Sequence, residues 1–174
     1  RVTATHVYSA CNRLPLIETV AKWTIFGNGD IRLSVDYTPL RDSLPPLPRM
    51  GVQLHVPGAY DRVEWYGRGP IESYPDIRAA AYIGTYQMTV DDTHEPYVRP
   101  QENGAHADTR AFALTDALGF GLLFISEKAA EEGFSFTVHN YTDQMLDEAK
   151  HQPELEALEE TVVSIDWRHG GIGS

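Results

Sequence analysis

Apolar and polar residues alternate with period two along most of this chain. The clearest run is Ile17, Thr19, Ala21, Trp23 and Ile25, continued beyond Gly27-Asn28-Gly29-Asp30 by Ile31, Leu33, Val35 and Tyr37. Successive strand side chains point to opposite faces, so such a run buries one face and wets the other. Asn28-Gly29 between two alternating runs predicts an antiparallel hairpin whose two central turn residues both take positive φ. Further strand-like runs fall at residues 51–56, 62–66, 80–90, 109–114, 119–125, 134–139 and 161–167, separated by turn-rich breaks. Many short strands without interleaved amphipathic helices predict an all-β antiparallel sandwich instead of a parallel α/β sheet. One short helix is expected from Thr142, whose hydroxyl can cap it, with Met145, Leu146 and Ala149 on one side. Pro45-Pro46-Leu47-Pro48 reads as a rigid extended break, and the acidic stretch 154–160 as a solvated edge or short polar helix. With no repeat or boundary in view, residues 1–174 are expected to form a single β-sandwich domain, and the start at Arg1-Val2-Thr3 predicts a fragment of something longer.

Composition narrows the partners. At 42% apolar, 174 residues suffice for a sizeable core. A formal charge of −11 repels phosphate backbones and anionic lipid, so neither nucleic acid nor membrane is an expected partner. There is no apolar run of membrane-spanning length and no basic-then-apolar leader pattern. The single cysteine, Cys11, excludes an intrachain disulfide, fits a reducing, cytoplasmic compartment and is expected to be a small apolar filler.

Phosphate loops, nucleophile elbows and helical His-Glu-x-x-His patterns are all missing, and the seven histidines are too dispersed to predict a metal site. Two polar constellations remain. The first runs from Trp65 through Glu72 to Asp76 and combines aromatic rings, glycines and carboxylates of the kind that grip a sugar; taken singly, Trp65 reads as core and Glu72 and Asp76 as partners of turn amides. The second is the shaped loop Pro96-Tyr97-Val98-Arg99-Pro100-Gln101-Glu102-Asn103-Gly104, continued to Arg110. Its Glu102, Asn103 and Arg110 read as an internal polar clamp ahead of a catalytic group. No residue is assigned a catalytic role, because a glycosidase pair cannot be selected from 25 acidic residues by sequence alone.

Read in order, Val63-Glu64-Trp65-Tyr66-Gly67-Arg68-Gly69-Pro70, Glu72-Ser73-Tyr74-Pro75-Asp76, the loop with Asp108-Thr109-Arg110, and Asp166 with His169-Gly170-Gly171-Ile172-Gly173 resemble the C-terminal domain of multidomain family-two β-galactosidases. The resemblance covers nearly the whole chain. It implies an antiparallel supersandwich of galactose-mutarotase type with at most one or two short helices. It also implies a parent enzyme that hydrolyses terminal β-D-galactosides with retention, whose two catalytic glutamates sit in a separate (β/α) barrel. This chain would then be non-catalytic, packing beside that barrel, supporting the active-site rim and helping a homo-oligomer to assemble. No cofactor is expected here, and the parent's Mg and Na are expected on other domains. Rim or clamp candidates are Glu102, Asn103, Arg110, His169, Trp65, Glu72 and Asp76. The family's tryptophan platform lies just after the Gly-Ile-Gly motif and is expected to fall outside these residues. Ser73 stands where the family has Asn, Ile77 separates Asp76 from Arg78, and Gly170 replaces a common Met. The alternative is a free-standing carbohydrate-binding or aldose-epimerase-like protein, using His106 or His169 with Glu102 as acid and base.

Overall fold

The computed structural model describes residues 1–9, 14–44, 46–128 and 133–170. Cys11, Pro45 and the Gly171-Ile172-Gly173 motif lie outside them. The chain divides into two compact units, Arg1–Leu47 and Pro48–Ser174. Every strand pairing is antiparallel, as the alternation predicts.

The first unit is a three-stranded meander of β1 (Val2–Tyr8), β2 (Ile17–Ile25) and β3 (Ile31–Pro39). Register rows such as Val2, Trp23, Leu33 and Ala4, Ala21, Val35 gather one apolar face, while Lys22 and Asp36 pair at 2.7 Å on the other. The hairpin stands where the alternation puts it, but its turn differs from the expected one. Phe26 donates to the Asp30 carbonyl at 2.9 Å, Gly29 donates to Phe26 at 3.1 Å, and only Gly29 has positive φ, at 96°. This is a three-residue loop closed by one left-handed glycine. Asn28 avoids the left-handed cost, and its side-chain oxygen accepts the Asp30 N–H at 3.2 Å.

In the second unit, β4 (Arg49–Pro57), β11 (Glu160–His169), β10 (Phe134–His139) and β7 (His106–Thr109) form one sheet in the order β4-β11-β10-β7. The other contains β6 (Tyr82–Thr89), β5 (Arg62–Gly69), β8 (Ala111–Thr115) and β9 (Gly121–Ile125) in the order β6-β5-β8-β9. Their inner faces share one core: Val56, Phe134, Phe136, Val138 and Val163 from the first, Val63, Trp65, Phe112 and Leu114 from the second. Phe112 is stacked between Phe124 at 4.4 Å and Phe136 at 4.3 Å. Each such ring contributes about 1.5–3 kcal/mol by leaving water.

The run at 109–114, expected as one strand, is broken. Thr109 ends β7, Arg110 alone intervenes, and Ala111 opens β8 in the opposite sheet. Asp108, inside β7, takes φ 52°, a left-handed conformation that aspartate tolerates better than most residues. Helix α1 (Asp143–Glu148) starts as predicted, with the Thr142 hydroxyl accepting from the Met145 N–H, and it buries Leu146. The acidic stretch is solvated: Glu154, Glu156, Glu159 and Glu160 are all exposed.

Candidate functional site

The loop between a short 3-10 turn (Asp91–Thr93) and β7 is held from inside by its own side chains. Asn103, only 1% exposed, accepts the Glu95 N–H at 2.8 Å and donates to the Gln101 carbonyl at 2.9 Å. Its own carbonyl lies 2.8 Å from His139 Nε2, and because a carbonyl can only accept, that nitrogen carries the proton. Gly104 follows at φ 71°, where a Cβ would approach the Thr93 carbonyl to 2.3 Å. Only glycine fits there.

The Glu72 carboxylate closes the loop from below, accepting from the Tyr97 hydroxyl and from the Gly104 N–H at 2.8 Å. The Glu72 bond and then burial push Tyr97 up to about 12. Ser73 receives the Ala107 N–H at 2.9 Å and donates its own amide to Ala105 at 2.6 Å. A hydroxyl at this position thus ties β7 to the preceding segment.

Glu102 points inward, away from solvent. Tyr74 donates to its Oε2 at 3.1 Å, its Oε1 lies 3.3 Å from His169 Nε2, and the Tyr74 and His169 rings sit 5.2 Å apart. The side chains of His169 and Glu102 are 1% and 5% exposed. Burial and the charges of Glu102 and Glu72 drive the Tyr74 hydroxyl far above its ordinary value, so it stays a donor. Arg49 completes the group, gripping Asp166 at 2.6 and 3.2 Å and Asp143 at 2.6 Å. Burial works against the Arg49 charge, but Asp166, Asp143 and Glu102 outweigh it and hold the guanidinium above its usual value.

The remaining candidates lie apart from this group. Trp65 is 1% exposed and fills the core, with its indole N–H on the Arg68 carbonyl at 2.8 Å. His106 packs 4.2 Å from that ring, and burial pushes it down to about 4. Arg110 donates to the Asp108 carbonyl and anchors its amide to Tyr66, with no bond to Glu102 or Asn103. Asp76 is exposed on the turn. Sequence reasoning missed Arg49 and Asp143, which lie 117 and 23 residues from Asp166, too far for any local pattern to link them. Tyr74 and Tyr97 were visible in the quoted motifs without a partner to explain them.

Among the described residues, two of the second unit's clefts lie near these segments. One, about 70 Å³, has room for a few waters and a single carboxylate, Asp108, which Arg68 holds at 2.5 Å. The other, about 340 Å³, has one carboxylate in its lining, Asp91, beside His94, Asn140 and Tyr141. Neither offers two carboxylates across a gap, and no group of three or more potential metal ligands gathers among the described residues.

The β-galactosidase small-chain model matches residues 1–174 in full. The chain belongs to that family. The β-galactosidase of Vibrio cholerae is 40% identical over 157 residues, which cover 90% of this chain and 14% of that protein. That of Staphylococcus xylosus is 35% identical over 161 residues, 92% of the chain and 16% of the protein, and that of Photobacterium profundum is 34% identical over 175 residues, 99% and 16%. The chain therefore spans about a seventh of the length of the relatives it matches.

Proposed function

We propose that the chain is a non-catalytic domain of a retaining β-galactosidase that hydrolyses terminal β-D-galactosides, packing against the catalytic barrel and shaping the rim of its sugar site. The observation that carries this is the disposition of the carboxylates. A retaining pair stands about 5–5.5 Å apart across an open site, whereas Glu102 and Glu72 are consumed by Tyr74, His169, Tyr97 and Gly104. Their work is to hold the loop in shape, and the loop's outer surface is what faces the barrel. The galactoside meets this domain only at the shared pocket. Mg and Na belong to other domains, the enzyme is cytoplasmic, and the domain helps it to form a homo-oligomer. Purified chain incubated with an aryl β-galactoside is expected to give no turnover, and turnover that survives removal of host enzyme would sink the proposal.

The His169 to Glu102 contact at 3.3 Å favours a second reading, an aldose epimerase using that pair. The pair is sealed from solvent, so a pyranose cannot reach it without opening the loop. Accelerated galactose mutarotation that disappears in Glu102→Gln would support the second reading over the first.

A further inference from the structure

Strand β9 ends its sheet, and among the described residues no strand pairs with its outer side. Asp116 donates to Phe120 and Ser126 donates to Arg110, with Leu122 opposite Leu114 and Phe124 opposite Phe112. Antiparallel hydrogen bonding alternates, so Leu122 and Phe124 point their amides and carbonyls at β8. Gly121, Leu123 and Ile125 point theirs outward.

The side chains are as unprotected as the backbone. Leu123 and Ile125 are 64% and 63% exposed, and the turn before them exposes Leu118 and Phe120 at 81% and 70%. Register rows continue the patch inward from Leu123 to Ala113 and from Ile125 through Ala111 to Tyr66. The two alanines leave a shallow floor. Exposed edge strands are normally blunted by a charge, a proline or a bulge, and Gly121-Leu122-Leu123-Phe124-Ile125 has none of these.

We infer that β9 accepts a further β-strand in the intact enzyme: an extended segment of the enzyme's own polypeptide from outside these residues, laying apolar side chains over Leu123, Ile125, Ala111 and Ala113. This rests on reading the chain as one domain of a larger β-galactosidase. A strand is the occupant that satisfies both the outward amides and the apolar face, since a helix has no backbone groups left to pair. Material for it is ample, because the matched region is only 16% of the Photobacterium profundum relative. A second copy is the poorer occupant, because a segment of the same polypeptide is present at a fixed, high effective concentration that a separate chain lacks.

Amide hydrogen exchange at Leu123 and Ile125 tests this, measured in the isolated chain and in the intact enzyme. The expected result is fast exchange in the chain and roughly hundredfold slower exchange in the enzyme. Equal, fast exchange in both overturns the inference. Slow exchange in the isolated chain that strengthens with concentration, with a dimer in sedimentation, assigns the edge to a second copy and also overturns it. Leu123→Lys is expected to cancel the added protection in the enzyme, while Gln87→Lys, on β6 of the same sheet, leaves it intact; equal effects of the two count against the edge. Galactoside turnover by the isolated chain would defeat the non-catalytic reading whatever the exchange at β9, so the two failures are distinct.

Discussion

Mild acid is expected to destabilise the second unit through two histidines. His106 and His139 are 2% and 4% exposed, and burial pushes each from an ordinary 6.5 down to about 4. Between those values the unfolded chain binds a proton at each ring and the folded chain does not, so stability is complete above the unfolded value and falls as pH falls. At about pH 5 protonation favours the unfolded ring over the folded one by about 2 kcal/mol per histidine, about 4 kcal/mol for both. That is a large part of a typical stability of roughly 5–15 kcal/mol. Urea unfolding followed by tryptophan fluorescence at about pH 7 and pH 5 reads the loss. His106→Gln and His139→Gln remove the titrating rings, and each is expected to flatten the pH dependence by about half even if it lowers stability at neutral pH. Equal stability at both pH values, or variants as steep as the wild type, would rule out the two buried rings as the source of acid sensitivity.

Gly104→Ala is expected to cost about 2 kcal/mol or more, since φ is +71° and the new methyl meets the Thr93 carbonyl at 2.3 Å; Gly29→Ala, with open space around it, should lose only about 1 kcal/mol in the same urea titration. Arg49→Met strands the buried Asp166 carboxylate, and a loss of about 3–5 kcal/mol is expected, most of it recovered on adding Asp166→Asn. Thr142→Ala removes the cap of α1 and should cost about 1 kcal/mol by thermal unfolding.

The strands were legible because a half-buried sheet writes its alternation residue by residue: β2 spans the alternating run itself, and β10 has the bounds that the apolar run predicts. What was not legible depends on geometry. One left-handed glycine closes the first turn where Asn28-Gly29 implied two, and β7 and β8 look continuous because apolar alternation persists across a change of sheet. Strand β1 has no clear alternation of its own, although Val2-Thr3-Ala4-Thr5 is rich in β-branched residues, and is defined by its register with β2. At the site, the motifs named Glu72, Glu102, Asn103 and His169 but not what each one touches. The Arg49, Asp166 and Asp143 group is assembled from three distant segments, so nothing local announces it.

The central claim is that Glu102 positions a loop and performs no chemistry. Steady-state kinetics of the intact enzyme carrying Glu102→Gln test it most directly. The expected result is kcat within about tenfold of the wild type together with a lower unfolding temperature, because an amide still accepts from Tyr74 but loses the charge facing His169. A fall in kcat of about a thousandfold or more at unchanged unfolding temperature, the size expected of a proton-transferring carboxylate, would contradict it.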